Sequence, residues 1–225
     1  GHLDGGGSGT YACKPEGADK FVVTNSPSDG SERPTINSVI LVSKASATGE
    51  FDHAVLTSDY DYYAPGTSAV INAKGVDAAG TSAELPSEGI TWALSDESFG
   101  TVSDGVFTSN GTKGDVTVKM LYNAEVVGEK VIHVVDPDEF KLALDDTVLP
   151  YGKTMTIDFA CTYGSDDWKV CVDGAYTLTL SNTEAATLDG NTLTATTDET
   201  FAGVEVTAAY TPNPEITDIL SVSFG

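Results

Sequence analysis

Ile90, Trp92 and Leu94 alternate with Thr91, Ala93 and Ser95, the period of two that marks a strand with one buried face. Val102 and Val106 flank Ser103-Asp104-Gly105, and glycine accepts the positive φ that a tight hairpin turn needs, so two short strands are predicted to fold back on each other here. After Asn110-Gly111-Thr112-Lys113-Gly114 the alternation resumes at Val116, Val118 and Met120 and runs on to Tyr122. No stretch of the chain has convincing helical periodicity.

The same texture occurs twice. Ala64-Pro65-Gly66 recurs as Leu149-Pro150-Tyr151-Gly152, and Trp92-Ala93-Leu94-Ser95 as Leu178-Thr179-Leu180-Ser181. Ser103-Asp104-Gly105 recurs as Leu188-Asp189-Gly190, and Val116 to Tyr122 as Val204 to Tyr210, at offsets of about 85 to 88 residues. Tandem copies of one module, over 47–136 and 137–225, explain this better than one large domain. Short alternating strands with a turn signal every ten residues or so are how an immunoglobulin-like sandwich reads. The link Val134-Val135-Asp136-Pro137-Asp138-Glu139-Phe140 is short and contains proline, so little hinge motion is expected. The predicted fold class is therefore all-β: two tandem immunoglobulin-like β-sandwiches with a short N-terminal β remnant over 1–46.

That remnant differs from the rest. It opens with glycines and contains Tyr11-Ala12-Cys13, Phe21-Val22-Val23 and the apolar run Val39-Ile40-Leu41-Val42, which reads as three strands. So small a unit has little core of its own. Its strand edges are expected to pair with the first sandwich or with a neighbouring chain.

Composition narrows the partners. Lys and Arg number 11 against 34 Asp and Glu, a formal charge of −23, which repels phosphate backbones and anionic lipid. Nucleic acid and membrane insertion are excluded as expectations, since no apolar run reaches the length of a span. The start carries no signal-peptide pattern. Such acidity suits the solubility of an exported protein, or a cation-binding surface.

Candidate chemistry is sparse. His2, His53 and His133 are scattered, so no zinc spacing exists, and no metal or cofactor is expected. Asp145-Asp146, Asp166-Asp167 and Asp136-Pro137-Asp138-Glu139 lack the EF-hand spacing and read as solvated loops. Cys161 and Cys171 flank a predicted hairpin and are either a cross-strand disulfide or two buried thiols. Tyr60, Tyr62 and Tyr63 could form an aromatic platform for a sugar ring, and Trp168, beside two aspartates, is the stronger exposed aromatic. Trp92 is assigned to the core. Asp4, Gly5, Gly6, Gly7 and Ser8 place a carboxylate beside a backbone that a ligand can approach closely; a Gly-rich run alone also fits a linker.

Two resemblances follow from these motifs. Tyr-Ala-Pro-Gly from Tyr63, Ile-Thr-Trp-Ala-Leu-Ser from Ile90, Gly-Thr-Val-Ser-Asp-Gly-Val-Phe-Thr from Gly100 and Gly-Asp-Val-Thr-Val from Gly114 resemble the bacterial immunoglobulin-like domains of exported and surface proteins. The second copy departs by having Leu178 in place of the tryptophan. This resemblance implies a secreted or cell-surface bacterial location and spacer, adhesive or carbohydrate-facing roles, with a glycan or cell-wall polymer as partner. It also implies that Cys161 and Cys171 need not form an intersheet disulfide. Leu-Asp-Gly-Gly-Gly-Ser from Leu3, followed by Asn-Ser-Pro-Ser-Asp-Gly-Ser-Glu-Arg-Pro from Asn25, resembles the C-terminal end of the phosphodiester glycosidase domain, the family of the enzyme that uncovers mannose 6-phosphate. The family usually has Asn where this chain has His2. That second resemblance implies that Asp4 and Gly5 to Ser8 line part of a catalytic pocket and that Arg33 positions the phosphate. About 45 residues cannot hold the rest of such a site. The chain is thus expected to be the inactive accessory or spacer region of a hydrolase, with a carbohydrate-binding or adhesive module as the alternative, and with hydrolysis confined to the protein that carries the upstream domain.

Overall fold

A computed structural model describes residues 10–25, 40–41, 44–144 and 146–225. Asp4, Gly5, Gly6, Gly7, Ser8 and Arg33 lie outside them. The described chain is all-β, with a single 3-10 turn at Glu97–Phe99. Two short strands come first, β1 (Ala12–Cys13) and β2 (Val22–Val23). The first copy contains β3 (His53–Thr57), β4 (Tyr62–Tyr63), β5 (Ser68–Val70), β6 (Asn72–Val76), β7 (Ile90–Leu94), β8 (Gly100–Ser103), β9 (Val106–Ser109), β10 (Gly114–Tyr122) and β11 (Glu125–Val134). The second contains β12 (Glu139–Ala143), β13 (Val148–Leu149), β14 (Thr154–Thr156), β15 (Asp158–Tyr163), β16 (Trp168–Cys171), β17 (Tyr176–Leu180), β18 (Ala186–Asp189), β19 (Thr192–Ala195), β20 (Gly203–Tyr210) and β21 (Thr217–Phe224).

The repeat read in the sequence reappears as a repeated pairing pattern. In the first copy β3 pairs with β6, β5 and β8 both pair with β9, and β4 runs parallel to β11. In the second β12 pairs with β15, β14 and β18 both pair with β19, and β13 runs parallel to β21. Each copy also carries a consecutive row, β7-β10-β11 and β17-β20-β21. Two hydrogen bonds fix the correspondence of β7 with β17: Ser95 N donates to Thr117 O and Ser181 N to Glu205 O, each at 2.9 Å. Trp92 is therefore matched by Leu178. Likewise Ile71 N donates to Gly105 O at 2.7 Å and Ile157 N to Asn191 O at 2.8 Å. Gly105 is thus matched by Asn191, one residue beyond the Gly190 that the Asp-Gly pattern selects. The extra element of the second copy is β16, the far arm of the hairpin from β15.

The chain divides into two compact units that cut across the copies. One holds the described residues up to Thr57 with Asn72–Thr91 and Lys119–Glu129; the other holds Ser58–Ile71, Trp92–Val118 and Lys130–Gly225. In the first unit Ala54, Leu56, Val76 and Met120 are buried. Asp77 has no exposed surface and organises the turn after β6: it accepts from the backbone N–H of Thr48 (2.7 Å), Gly49 (3.1 Å), Ala79 (3.0 Å) and Thr81 (2.9 Å), and from Thr81 Oγ1 (2.8 Å). These donors, the Thr81 N–H foremost, hold its carboxyl well below the usual range although burial works the other way.

Of the two pairings expected for the N-terminal strands, the one with the first sandwich is not made by β1 and β2, and Val39 and Val42 of the third predicted strand lie outside the described residues. Among the described residues the two strands pair only with each other, and Ile40 and Leu41 form no strand. The segment docks instead through its turn. Gly17 N donates to Gly80 O at 3.1 Å, and His53 bridges Asp52 (2.9 Å) and Glu16 (3.3 Å).

In the second unit, Leu149, Ile157, Leu193, Val206, Val222 and Phe224 form the core between the sheet β13-β21-β20-β17 and the sheet β14-β19-β18. This two-layer arrangement, antiparallel apart from the β13-β21 pair, is an immunoglobulin-like sandwich. A further cluster joins Ala64 of the first copy to Phe140, Cys161, Val170, Val172 and Tyr210 of the second.

Candidate functional site

The aromatic residues singled out in the sequence converge where the copies meet, inside the second unit. Strand β4 is only two residues long, yet it is flanked on both sides by parallel neighbours. Tyr62 stands opposite His133 of β11 and opposite Val170 of β16. Ala64 N then donates to Cys171 O at 2.8 Å. The β15-β16 hairpin of the second copy thereby extends a sheet of the first, giving the order β12-β15-β16-β4-β11.

Side chains on one face of a sheet meet across strands at stacking distance. The Tyr62 ring stacks on His133 at 4.6 Å and on Trp168 at 5.7 Å, with interplanar angles of 25° for both, and Tyr163 lies tilted at 5.8 Å. Because β4 lies between β11 and β16, His133 and Trp168 cover opposite faces of Tyr62. Such contacts contribute about 0.5–1.5 kcal/mol each beyond burial. His133 Nδ1 is 2.7 Å from Asp115 Oδ1, and Lys130 pairs with Asp61, so the row is bordered by ion pairs.

The predicted residues separate accordingly. Tyr63 is 3% exposed and receives the Tyr60 N–H on its hydroxyl at 3.4 Å; burial raises its pKa. Tyr60 meets Tyr63 edge-on at 6.1 Å and keeps part of its ring in solvent. Trp168 is 48% exposed, at the end of the row next to Asp166 and Asp167. Trp92 is half-buried, and its Cζ2 lies 3.3 Å from where a Cβ on Gly105 would stand. The contributions of His133 and Tyr163 escaped the sequence because the ring each meets, Tyr62, is remote from it in the chain.

Beside the row lies a small recess of about 180 Å³ whose lining includes Tyr60, Phe159, Cys161, Lys169, Cys171 and Asp173. Both cysteines are free and buried. Burial pushes the Cys161 thiol up to about 12 and raises that of Cys171. Thr162 faces Lys169 and Tyr163 faces Trp168; continued by one residue, that register sets Cys161 against Val170 rather than Cys171. Thiols held protonated by burial and rings stacked on one another suit a structural joint. Asp138 is spent on a turn, accepting from Gly164 N at 2.7 Å. Among the described residues no group of three or more His, Cys, Asp or Glu side chains gathers to hold a metal ion, and no helix is long and apolar enough to cross a membrane.

No protein-family model matches the chain, and no curated protein does. Solved structures similar to it include the Escherichia coli adhesin FdeC, at 14% identity over 76% of this chain and 63% of that one, with a TM-score of 0.30. Domains 4 and 5 of the S-layer protein SbsC match at 16% identity over 78% of this chain and 98% of that one, with a TM-score of 0.31. Invasin, a bacterial integrin-binding protein, matches at 16% identity over 79% of this chain and 40% of that one, with a TM-score of 0.33. The chain thus spans less than two thirds of the FdeC and invasin structures it matches.

Proposed function

We propose that this chain is a non-catalytic, stiffened segment of an exported or cell-surface bacterial protein, a stalk that holds a neighbouring part or an adhesive face away from the cell. Its modules are the immunoglobulin-like copies 47–136 and 137–225. The observation that carries this reading is the joint: β4 bonded on both sides, with the second copy's hairpin completing a sheet of the first. A flexible tether needs no such shared sheet, and the buried apolar cluster of Ala64 with Phe140, Val170 and Tyr210 behind it opposes the domain motion that is otherwise the default. Spin labels at Thr101 and Thr187, one in each copy, test it. A narrow distance distribution that broadens in Tyr62→Ala/Trp168→Ala supports the stalk. A wild-type distribution as broad as the variant's rules it out.

A second reading is favoured by the exposure of Trp168: a carbohydrate-binding or adhesive contact in which Trp168, with Tyr60 and Tyr163 nearby, offers a ring to a sugar. Tyr62 and Tyr63 serve it from beneath, since their rings are covered. Binding on a glycan array that is lost in a folded Trp168→Ala chain would establish it, whereas a blank array leaves the stalk. The resemblance of residues 1–46 to a phosphodiester glycosidase domain adds that the parent protein releases sugar from phosphodiesters, with Asp4 and Arg33 acting and Gly5, Gly6, Gly7 and Ser8 lining the pocket. Turnover of such a substrate by the isolated 225-residue chain would contradict the non-catalytic assignment.

A further inference from the structure

The two copies differ where it matters for a ligand. In the first, the Trp92 indole lies over the Asp104-Gly105 turn of the β8-β9 hairpin, close enough that any side chain on Gly105 would press on it. In the second, the matching residues are Leu178 and Asn191. Leu178 is much shorter than an indole, and Tyr176 reaches over the turn in its place without filling the space beside Leu178. The Tyr176 ring turns to Phe159, at 4.5 Å, and to Phe140, at 6.0 Å. Its hydroxyl holds the Asn191 amide oxygen at 3.2 Å. What remains is a cleft of about 390 Å³ lined by Gly174, Tyr176, Leu178, Leu188 and Gly190. That volume falls within the roughly 300–1,000 Å³ of ligand sites.

Two more observations restrict the occupant. β17 ends its sheet, so among the described residues its outer backbone edge has no strand partner, and an unpaired edge accepts an added strand. Asp173 and Asp189 directly precede the two lining glycines. The field of Asp173 is felt at Tyr176, whose hydroxyl is shifted up first by burial and then by that carboxylate. On a chain of charge −23 these carboxylates favour a cationic partner.

We propose that the edge of β17 and the cleft between β17 and β18 form a binding site for an extended basic peptide, which adds a strand to β17 and inserts an aromatic side chain between Tyr176, Leu178 and Leu188. The site is built from residues of the second copy.

The test is titration of the purified chain with the acetylated, amidated peptide Lys-Thr-Trp-Thr-Lys, followed through the methyl resonances of Leu178 and Leu188. Both are expected to shift saturably. A buried aromatic anchor is worth a factor of about ten or more, so replacing the peptide's tryptophan by alanine, or filling the cleft with Leu178→Trp, should weaken binding at least about tenfold. Asp173→Asn/Asp189→Asn, two near-isosteric changes at exposed carboxylates, should weaken binding and flatten its dependence on salt. If Leu178→Trp fails to fold, the alanine peptide and the aspartate variant decide the matter. Methyls that do not move, or equal binding of the tryptophan and alanine peptides, would overturn the proposal.

Discussion

The Tyr210 hydroxyl, on a ring with no exposed surface, donates to Asp136 Oδ1 at 3.0 Å. Asp136 lies just beyond the end of β11, and its other oxygen lies 2.7 Å from Lys113 Nζ. Burial, and then the carboxylate, push the tyrosine pKa upward. Tyr210→Phe keeps the ring and removes the bond. Asp136 retains Lys113 and water, so the cost is expected to be about 1–1.5 kcal/mol. Urea unfolding should show a lower midpoint at unchanged slope.

The turn between β10 and β11 contains a conformational misfit. Asn123 (φ 51) and Ala124 (φ 70) are both left-handed, as a two-residue hairpin turn of this kind requires. Asparagine tolerates that region, whereas alanine's Cβ is crowded there. Ala124→Gly should therefore raise stability by about 0.5–1 kcal/mol, the relief exceeding the added chain entropy. Calorimetry would register it as a higher midpoint.

His53 makes the docking of the N-terminal turn sensitive to pH. The bond to Asp52 chiefly raises its pKa; burial opposes this, and Glu16 adds to the rise. A raised folded value means that its contribution is complete below the ordinary histidine value of about 6.5 and is lost as pH rises through the higher folded value. The Gly17 amide, bonded to Gly80 O, should titrate in that upper window by NMR. His53→Gln should abolish the transition.

Asp77 has the opposite sign. Its depressed pKa stabilises the fold above the unfolded carboxylate value of about 3.9, and the contribution fades as pH falls below that. Asp77→Ala leaves the N–H groups of Thr48, Gly49 and Thr81 without their acceptor. A lower melting temperature at pH 7, with the gap to wild type narrowing in acid, is the expected result.

With the Cys161 thiol pushed up to about 12, its thiolate fraction at pH 8 falls about a thousandfold below that of an ordinary cysteine. Iodoacetamide should label Cys13, which is only partly buried, in the folded chain, and all three cysteines in urea. Mass spectrometry distinguishes one adduct from three.

The alternation from Ile90 to Leu94 and its echo at Leu178 to Ser181 are enough to read two copies of one all-β module, because a strand with one buried face writes its period into the sequence. The Trp92 to Leu178 exchange was equally visible. The turn alignment slipped by one residue because Asp-Gly occupies both hairpins, while the backbone bonds pair Gly105 with Asn191. The joint was not legible. Two residues, Tyr62 and Tyr63, are too few to show a period, and parallel pairing to β11 and β16 depends on partners about 70 and 108 positions away in the chain. Trp168 was found as an exposed ring, but that its neighbour is Tyr62 is a fact of topology.

In each copy a strand near the beginning runs parallel to the final strand, β4 with β11 and β13 with β21. His133 N reaches Asp61 O at 2.9 Å and Val135 N reaches Tyr63 O at 3.0 Å; Ser223 N reaches Thr147 O at 3.1 Å and Gly225 N reaches Leu149 O at 3.3 Å. A pull on the two ends of the chain drags such neighbours past each other along their length. The bonds then meet the force in shear and must break together, whereas an antiparallel hairpin pulled from its open end peels one bond at a time.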